Sequence, residues 1–176
     1  MLEVIDNLLA VSQPQEGYAI NLQYNNYDMA QSLAKVYIHA VFGTKYRDDS
    51  LRRDDLLAIH AYMAGVLKGL DCTPVVVGGT TNHVHLLFVI GKKVATADVV
   101  EHLKAATTRW MKRQYDCYHS FGWQDGYGAF SVSFSHVWTV KRYIETQEEH
   151  HKRESFADEV KRLFVENGLD FCERYW

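Results

Sequence analysis

The sequence predicts an α+β fold with the element order β-α-β-β-α-β, followed by two further helices. Two short segments alternate apolar and polar residues, which is the period of a strand with two unlike faces, and two further segments are short apolar runs joined by a glycine-containing connection. The segments between and after them repeat apolar residues every three or four positions, which is the period of an amphipathic helix. The length of 176 residues corresponds to one domain, at roughly 100–200 residues per domain.

The element order follows from the chain read from its N-terminus. Residues 1–31 lack a clear period, so we interpret them as an N-terminal extension of uncertain order and residues 32–176 as a single domain. The predicted strands are residues 35–42, 72–77, 83–90 and 130–135, and the predicted helices are residues 51–70, 96–115, 136–153 and 156–167. A five-residue connection that begins with Gly78 and Gly79 joins the second and third strands as a hairpin.

These elements match the split βαβ, ferredoxin-like arrangement: a four-stranded antiparallel sheet with helices on one face, here with additional C-terminal helices. Ser50 or Asp49 is placed to cap the first helix. The last helix begins at the capping box Ser155-x-x-Asp158 and ends at Gly168. Because this fold hosts enzymes and binding proteins alike, function has to be inferred from particular residues.

Charge is distributed unevenly along the chain. The net charge is −3, but residues 31–115 carry twelve Lys and Arg against seven Asp and Glu. Residues 1–30 carry four acids and no Lys or Arg, and residues 116–176 carry eleven acids against seven bases. A basic middle between acidic ends permits a phosphate-binding face, although a solvated charged face gives the same pattern.

Apolar stretches and cysteines indicate the compartment. No stretch approaches the roughly 20 apolar residues that a bilayer requires, and the N-terminal residues lack the basic charge of a signal or transit peptide. We therefore expect a cytoplasmic protein without a membrane partner. Cys72, Cys117 and Cys172 are far apart and form no CxxC pair, which predicts reduced thiols in the core.

Two histidines on the third strand are the first candidate site. His83 and His85 are two residues apart, so they project to one face of the strand at a spacing of roughly 7 Å. Two imidazoles on one rigid face could begin a divalent metal site, or they could be half-exposed residues on the wet face of the sheet. His39, on the first strand, is either a neighbour of this site or a sheet histidine with its own partner.

The helix over residues 136–153 supplies the second candidate. Tyr143 and Gln147 are four residues apart and therefore share a helix face, at the edge of the inward stripe. A tyrosine at such an edge is more typical of packing than of catalysis. His151 is four residues beyond Gln147, where it could reach a metal or phosphate or could be exposed at the surface.

These residues together resemble a known family. The run Asn82-His83-Val84-His85-Leu86-Leu87, the later Tyr143-Ile144-Glu145-Thr146-Gln147 and the segment Phe42-Gly43-Thr44-Lys45-Tyr46-Arg47 resemble the single-tyrosine HUH transposases of small bacterial insertion sequences. The REP-associated tyrosine transposases share this pattern. The resemblance runs from about residue 36 to residue 147.

The resemblance implies a metal-dependent DNA transposase that cleaves and rejoins single-stranded DNA. Tyr143 would attack a phosphodiester, which gives a 5′-phosphotyrosine link and a free 3′-hydroxyl. His83, His85 and Gln147 would hold a divalent metal, either Mg²⁺ or Mn²⁺. Such covalent catalysis conserves the phosphodiester energy, so that rejoining needs no ATP.

The resemblance also implies the partners. The substrate would be single-stranded DNA with hairpin ends, and the protein would be a homodimer in which the tyrosine helix of one subunit completes the site of the other. Several basic side chains could contact the DNA backbone. It is equally consistent with the sequence that they are solvated residues on the surface of the fold. These candidates are Lys45, Arg47, Lys104, Arg109, Lys112 and Arg113.

Two other functions remain open at this point. A domesticated or inactive relative would bind a nucleic-acid hairpin without turnover. An unrelated metal-dependent hydrolase would use His83 and His85 but would keep most of its rate after Tyr143→Phe, because its nucleophile would be a metal-bound water.

Overall fold

Four antiparallel strands form one sheet with the spatial order β2-β3-β1-β4 in this computed structural model, which describes residues 33–171. The predicted element order and fold class are confirmed. The strands are β1 (Tyr37–Gly43), β2 (Thr73–Gly79), β3 (His83–Val89) and β4 (Gly128–Val132). The helices are α1 (Leu56–Gly69), α2 (Thr96–Gln114), α3 (Val137–Glu145), α4 (Gln147–His150) and α5 (Phe156–Glu166). The predicted extension over residues 1–31 lies outside the described residues.

One face of the sheet packs against α1 and α2. Phe42 on β1 and Val84, Leu86 and Phe88 on β3 point to this side, where they meet buried side chains such as Met63 and Leu103. Each such side chain contributes about 1.5–3 kcal/mol when it is fully buried. This face is the main hydrophobic core.

The opposite face is covered by the additional C-terminal helices, for which the sequence predicted no position. Val41 and Phe130 pack against α5, and Leu87 packs against Ile144 of α3. The two C-terminal helices have apolar stripes that need a partner, and this face of the sheet provides it. Consequently the residues of β1 and β3 that point to this side are buried rather than wet.

The hairpin between β2 and β3 is tighter than predicted. Gly78 and Gly79 belong to β2, and only residues 80–82 form the connection. Gly79 has a φ of +147°, and a Cβ there would lie 2.3 Å from the carbonyl oxygen of His83. At Gly78 a Cβ would lie 2.7 Å from the carbonyl oxygen of Ile144. The absence of a side chain at Gly78 therefore lets α3 approach β2 closely.

Several element ends differ from the prediction. The helix over residues 136–153 is interrupted at Thr146, whose hydroxyl donates to the carbonyl of Arg142 at 2.9 Å. α1 begins only at Leu56, after a 3₁₀ turn, and has no side-chain cap in the described chain. The proposed cap Asp49 instead accepts a hydrogen bond from Thr81. The capping box at Ser155 is confirmed, because its hydroxyl accepts from the Asp158 amide at 3.2 Å.

The cysteines agree only in part with the expected core thiols. Cys72 is buried, whereas Cys117 is exposed, because Tyr118 takes the inward position of that turn. Cys172 lies outside the described residues. None of the described helices is long and apolar enough to cross a bilayer.

Candidate active site

His83 and His85 lie at the start of β3, on the face that α3 and α5 cover. Both are 0% exposed, so the interpretation as half-exposed residues on a wet face is wrong. Their ring centroids are 5.0 Å apart. Two buried imidazoles in contact need defined partners for their nitrogens.

His83 is held in one orientation by its neighbours. Its Nδ1 lies 2.7 Å from Oδ1 of Asn82 and 3.0 Å from the hydroxyl of Thr80, and Phe156 stacks on the ring at 4.2 Å. Because the Asn82 oxygen only accepts, Nδ1 carries the proton. Burial lowers the pKa of His83 to about 3, so the ring is neutral. Its Nε2 therefore presents a lone pair to the interior of the site.

His85 is positioned by a third histidine. Its Nδ1 lies 3.0 Å from Nε2 of His39, which is 4% exposed. Burial lowers the pKa of His39 to about 3. His39 is thus both a sheet histidine with a partner and a neighbour of the site. Nε2 of His85 points away from His39 and faces the carboxylate of Glu159 at 3.3 Å.

Tyr143 and Gln147 reach the two histidines within one chain. Oε1 of Gln147 lies 3.1 Å from Nε2 of His83, and the Tyr143 ring is 5.8 Å from the His85 ring. The interruption at Thr146 directs Gln147 inward, where it is 2% exposed. The structure therefore brings together all four residues that the sequence predicts for catalysis and metal binding.

Glu159 on α5 also belongs to this cluster, and the sequence analysis missed it. Its side chain is 1% exposed, and its carboxylate lies 3.3 Å from Nε2 of His85 and 3.7 Å from Nε2 of His83. It accepts hydrogen bonds from the Tyr143 hydroxyl and, at 3.1 Å, from the Gln147 amide. Three ligand atoms, one each from His83, His85 and Glu159, lie within 4.8 Å of one another.

A signal for Glu159 was present in the sequence. The apolar stripe of α5 consists of Phe156, Val160 and Leu163. Position 159 falls within that stripe, three residues after Phe156. An acid on the buried face of an amphipathic helix requires a partner, because an unpaired buried carboxylate is costly.

The Tyr143 hydroxyl has a second partner in Arg162. The guanidinium donates to the hydroxyl oxygen at 3.2 Å and is held by two hydrogen bonds to Glu154, at 3.0 and 2.9 Å. Burial raises the pKa of Tyr143, and the adjacent charge of Glu159 raises it further. Arg162 acts in the opposite direction, because a nearby cation favours the phenolate.

His151 contributes to the site, so its alternative placement at the surface is wrong. It is partly buried, and its Nε2 lies 3.0 Å from the Gln147 oxygen and 3.1 Å from the Glu159 carboxylate. Burial alone would raise the pKa of Glu159, but the hydrogen bond from His151 helps to bring it well below its usual value. Glu159 is therefore an anion.

A groove of about 620 Å³ opens beside Tyr143. Two guanidinium side chains line it, and such groups favour phosphate. The ring of His150 lies 4.9 Å from that of Tyr143. The lining residues are Thr139, Arg142, Tyr143, Thr146, Glu149, His150 and Arg153.

Among the predicted DNA-contacting residues, Lys104 has another role. Its ammonium donates to the carbonyl oxygens of Gln124 at 2.9 Å and Gly126 at 2.6 Å, and burial lowers its pKa to about 8. Lys104 thus holds the loop before β4, and its contact with phosphate stays a prediction. Lys45 and Arg47 are exposed in the turn that follows β1, whereas Arg109 and Arg113 are exposed on α2. Lys112, also on α2, is partly exposed.

Sequence comparison identifies the family. Residues 32–147 match the family model described as IS200-like transposase. The matched residues make up more than half of the chain. The chain belongs to this transposase family. The family predicted from the sequence motifs is confirmed, and the matched region contains His83, His85, Tyr143 and Gln147 but neither Glu159 nor Arg162.

Two solved structures resemble this IS200-like transposase. A crystal structure from Deinococcus radiodurans R1, described as a candidate transposase, has a TM-score of 0.53 and 21% identity, and the match covers 69% of this chain and 97% of that one. A REP-associated tyrosine transposase bound to a REP hairpin has a TM-score of 0.53 and 11% identity, and the match covers 85% of this chain and 90% of that one. At these identities both comparisons support the shared fold. No curated protein sequence is similar enough to this chain to count as a match.

Proposed function

We propose that this IS200-like transposase is metal-dependent and cleaves and rejoins single-stranded DNA through a 5′-phosphotyrosine intermediate. Tyr143 is the nucleophile. The observation that carries the proposal is the position of the Tyr143 hydroxyl, in one buried cluster with both histidines of the HxH motif and with Gln147. A protein that only binds a hairpin would not require this combination.

His83, His85 and Gln147 are the residues that would hold the divalent metal, either Mg²⁺ or Mn²⁺. The donor set fits, because Nε2 of His83 presents a lone pair to the Gln147 oxygen and Nε2 of the buried His85 faces the same cluster, 3.3 Å from the Glu159 carboxylate. When bound, the metal would polarise the scissile phosphate as a Lewis acid. The buried surroundings would strengthen that electrostatic effect.

The reaction exchanges one phosphodiester for another. The Tyr143 oxygen forms a bond to phosphorus while the bond to the 3′-oxygen breaks, and the departing oxygen takes up a proton to become a 3′-hydroxyl. In the structure the proton of Tyr143 is directed at Glu159, and Arg162 donates to the same oxygen. Arg162 would thus stabilise negative charge on Tyr143 both when it attacks and when it leaves in the reverse step.

Covalent capture tests the proposal. Wild type, Tyr143→Phe and the control Tyr46→Phe are incubated with labelled single-stranded DNA from the flanks of the gene, with Mn²⁺ or with EDTA. Tyr46 is exposed and distant from the histidines in sequence, so its variant should retain activity. We expect a labelled protein band on a denaturing gel for wild type and Tyr46→Phe in Mn²⁺ only.

The outcomes separate the alternatives. An adduct that survives Tyr143→Phe would contradict the assignment of the nucleophile. DNA that is bound with metal present but never linked to protein would favour the inactive hairpin-binding relative. Strand cleavage without an adduct, retained in Tyr143→Phe, would favour a hydrolase.

The proposed substrate is single-stranded DNA with hairpin ends. One structurally similar protein is a REP-associated tyrosine transposase bound to a REP hairpin, which supports this choice. A homodimer that exchanges its tyrosine helices stays a prediction, which hydrodynamic mass tests. Tyr143 and Gln147 already contact the site of their own chain, so an active monomer would be consistent with this geometry.

A further inference from the structure

The carboxylate of Glu159 is a buried anion with more contacts than its position as acceptor of the Tyr143 proton explains. It is 1% exposed and receives hydrogen bonds from Tyr143, Gln147 and His151. Its oxygens also face Nε2 of both His83 and His85. A buried charge at the centre of such a cluster needs a compensating charge.

On the side that faces His83, no proton compensates the negative charge of Glu159. Its Nδ1 carries the ring proton toward Asn82, so Nε2 is a lone pair. That lone pair lies 3.1 Å from the Gln147 oxygen and 3.7 Å from a Glu159 oxygen, both of which are acceptors. His151 lies 3.0 Å from the same Gln147 oxygen and 3.1 Å from the same Glu159 oxygen, but no hydrogen lies between His83 and either oxygen, which is the arrangement that a cation stabilises.

The spacing of these atoms is close to that of a coordination shell. Ligands about 2.1 Å from a metal are roughly 3.0–3.5 Å from their nearest neighbours in octahedral or tetrahedral geometry. Two observed separations fall in this range, 3.1 Å for His83 and Gln147 and 3.3 Å for His85 and one Glu159 oxygen, whereas His83 lies 3.7 Å from the other Glu159 oxygen. The ligand atoms of His83, His85 and Glu159 all lie within 4.8 Å of one another, so a metal ion would have to draw them slightly closer.

We propose that Glu159 is a ligand of the divalent metal together with His83 and His85, so that α5 is a structural part of the metal site. This proposal rests on the metal site of the proposed function. Two imidazoles and a carboxylate are a donor set typical of transition metals, whereas Mg²⁺ prefers an all-oxygen environment. We therefore expect Mn²⁺ to bind more tightly than Mg²⁺.

Metal binding without DNA tests the proposal independently of activity. Chelator-treated wild type, Glu159→Gln and the control Glu166→Gln are titrated with Mn²⁺, and free Mn²⁺ is measured by electron paramagnetic resonance. Glu166 lies on the same helix with its side chain 55% exposed. We expect Glu159→Gln to weaken Mn²⁺ binding at least about tenfold and Glu166→Gln to leave it unchanged.

The results distinguish this proposal from the proposed function. If Glu159→Gln binds Mn²⁺ like wild type while His83→Ala does not, Glu159 is not a ligand, although the metal site stands. If wild type itself binds no Mn²⁺, the metal site is wrong as well.

Hydrogen exchange covers the case in which Glu159→Gln does not fold. In wild type, added Mn²⁺ should slow amide exchange in α5 relative to α1, because a ligand from α5 ties that helix to β3. Exchange in α5 that is unaffected by saturating Mn²⁺ would overturn the proposal.

Discussion

His39 lies behind the candidate metal site, and its position determines how His85 can act. The contact between Nε2 of His39 and Nδ1 of His85 leaves only Nε2 of His85 to face Glu159. Hydrogen bonds behind a metal-binding imidazole fix its tautomer and the orientation of its ring. His39 is therefore a positioning residue of the site.

Replacement of His39 by Phe should weaken metal binding while the fold is retained. Phe keeps a ring that can pack on Phe130, whose centroid is 6.0 Å away, but it removes the nitrogen that faces His85. We expect about 10–100-fold weaker Mn²⁺ binding, measured by the same titration. The control is His102→Phe, since His102 is exposed and bonds only to the backbone of its own helix. Equal affinities in the two variants would rule out a positioning role.

At this scale the sequence predicts the residues that form short motifs. His83 and His85 share a strand, and Tyr143 and Gln147 are one helical turn apart, so local geometry suffices to group each pair. Glu159 and Arg162 join the site only because α5 packs on the sheet. No local spacing links them to Tyr143, and the buried acid in an apolar stripe was the single available signal.

α3 is the element whose position sets the location of Tyr143, the proposed nucleophile. Its Ile144 lies against Gly78 of β2, where even a methyl group would come within 2.7 Å of the Ile144 carbonyl oxygen and 2.9 Å of its side chain. Tyr143 is the preceding residue. The distance between α3 and the sheet therefore controls where the tyrosine hydroxyl lies.

Gly78→Ala should displace α3 and reduce adduct formation more than it reduces stability. A misplacement of about 1 Å in reacting groups costs on the order of 100-fold in rate, and we expect a loss of that size. The control is Gly65→Ala in α1, where a Cβ meets nothing within 4 Å and should raise stability by about 1 kcal/mol. Rates of covalent capture and thermal melting are measured for both variants. A Gly78→Ala protein as active as Gly65→Ala would show that the close contact is unimportant.

Element order was predictable because each segment has one dominant period. The residues at which the elements end were not predictable, because they depend on tertiary contacts that the hydrophobic period does not reflect. Apolar spacing continues across Thr146, yet the helix stops there. Gly78 and Gly79 are typical turn residues, but here they serve a close helix contact and a positive φ inside β2.

In the whole molecule, the predicted basic residues of α2 and the arginines of the groove beside Tyr143 lie on different sides of the sheet. α2, which carries Arg109, Lys112 and Arg113, covers the face opposite to His83 and His85. The groove beside Tyr143 instead has Arg142 and Arg153. The charge pattern of the sequence indicated a basic middle over residues 31–115, but it could not show that the groove beside Tyr143 is lined by two arginines from the acidic segment 116–176.

DNA affinity should reflect this division. Non-cleaving Tyr143→Phe protein is titrated with hairpin-ended single-stranded DNA over a range of salt concentrations, alone and with Arg153→Ala or Lys104→Ala added. Loss of a phosphate contact should lower the salt slope by about one, and we expect this for Arg153 but not for Lys104, which is bonded to the loop before β4. The reverse pattern would place the DNA on the α2 side.

Because α5 follows the family motifs in the chain, its position affects how copies of the gene are classified as intact or defective. A stop codon between the codons for residues 147 and 156 would leave the family-matched region 32–147 complete, with both histidines, the tyrosine and the glutamine in place. The same copy would lose Glu159 and Arg162, the two side chains that hold the tyrosine hydroxyl. An intact motif in a genome is therefore not sufficient to count a copy of this transposase as intact.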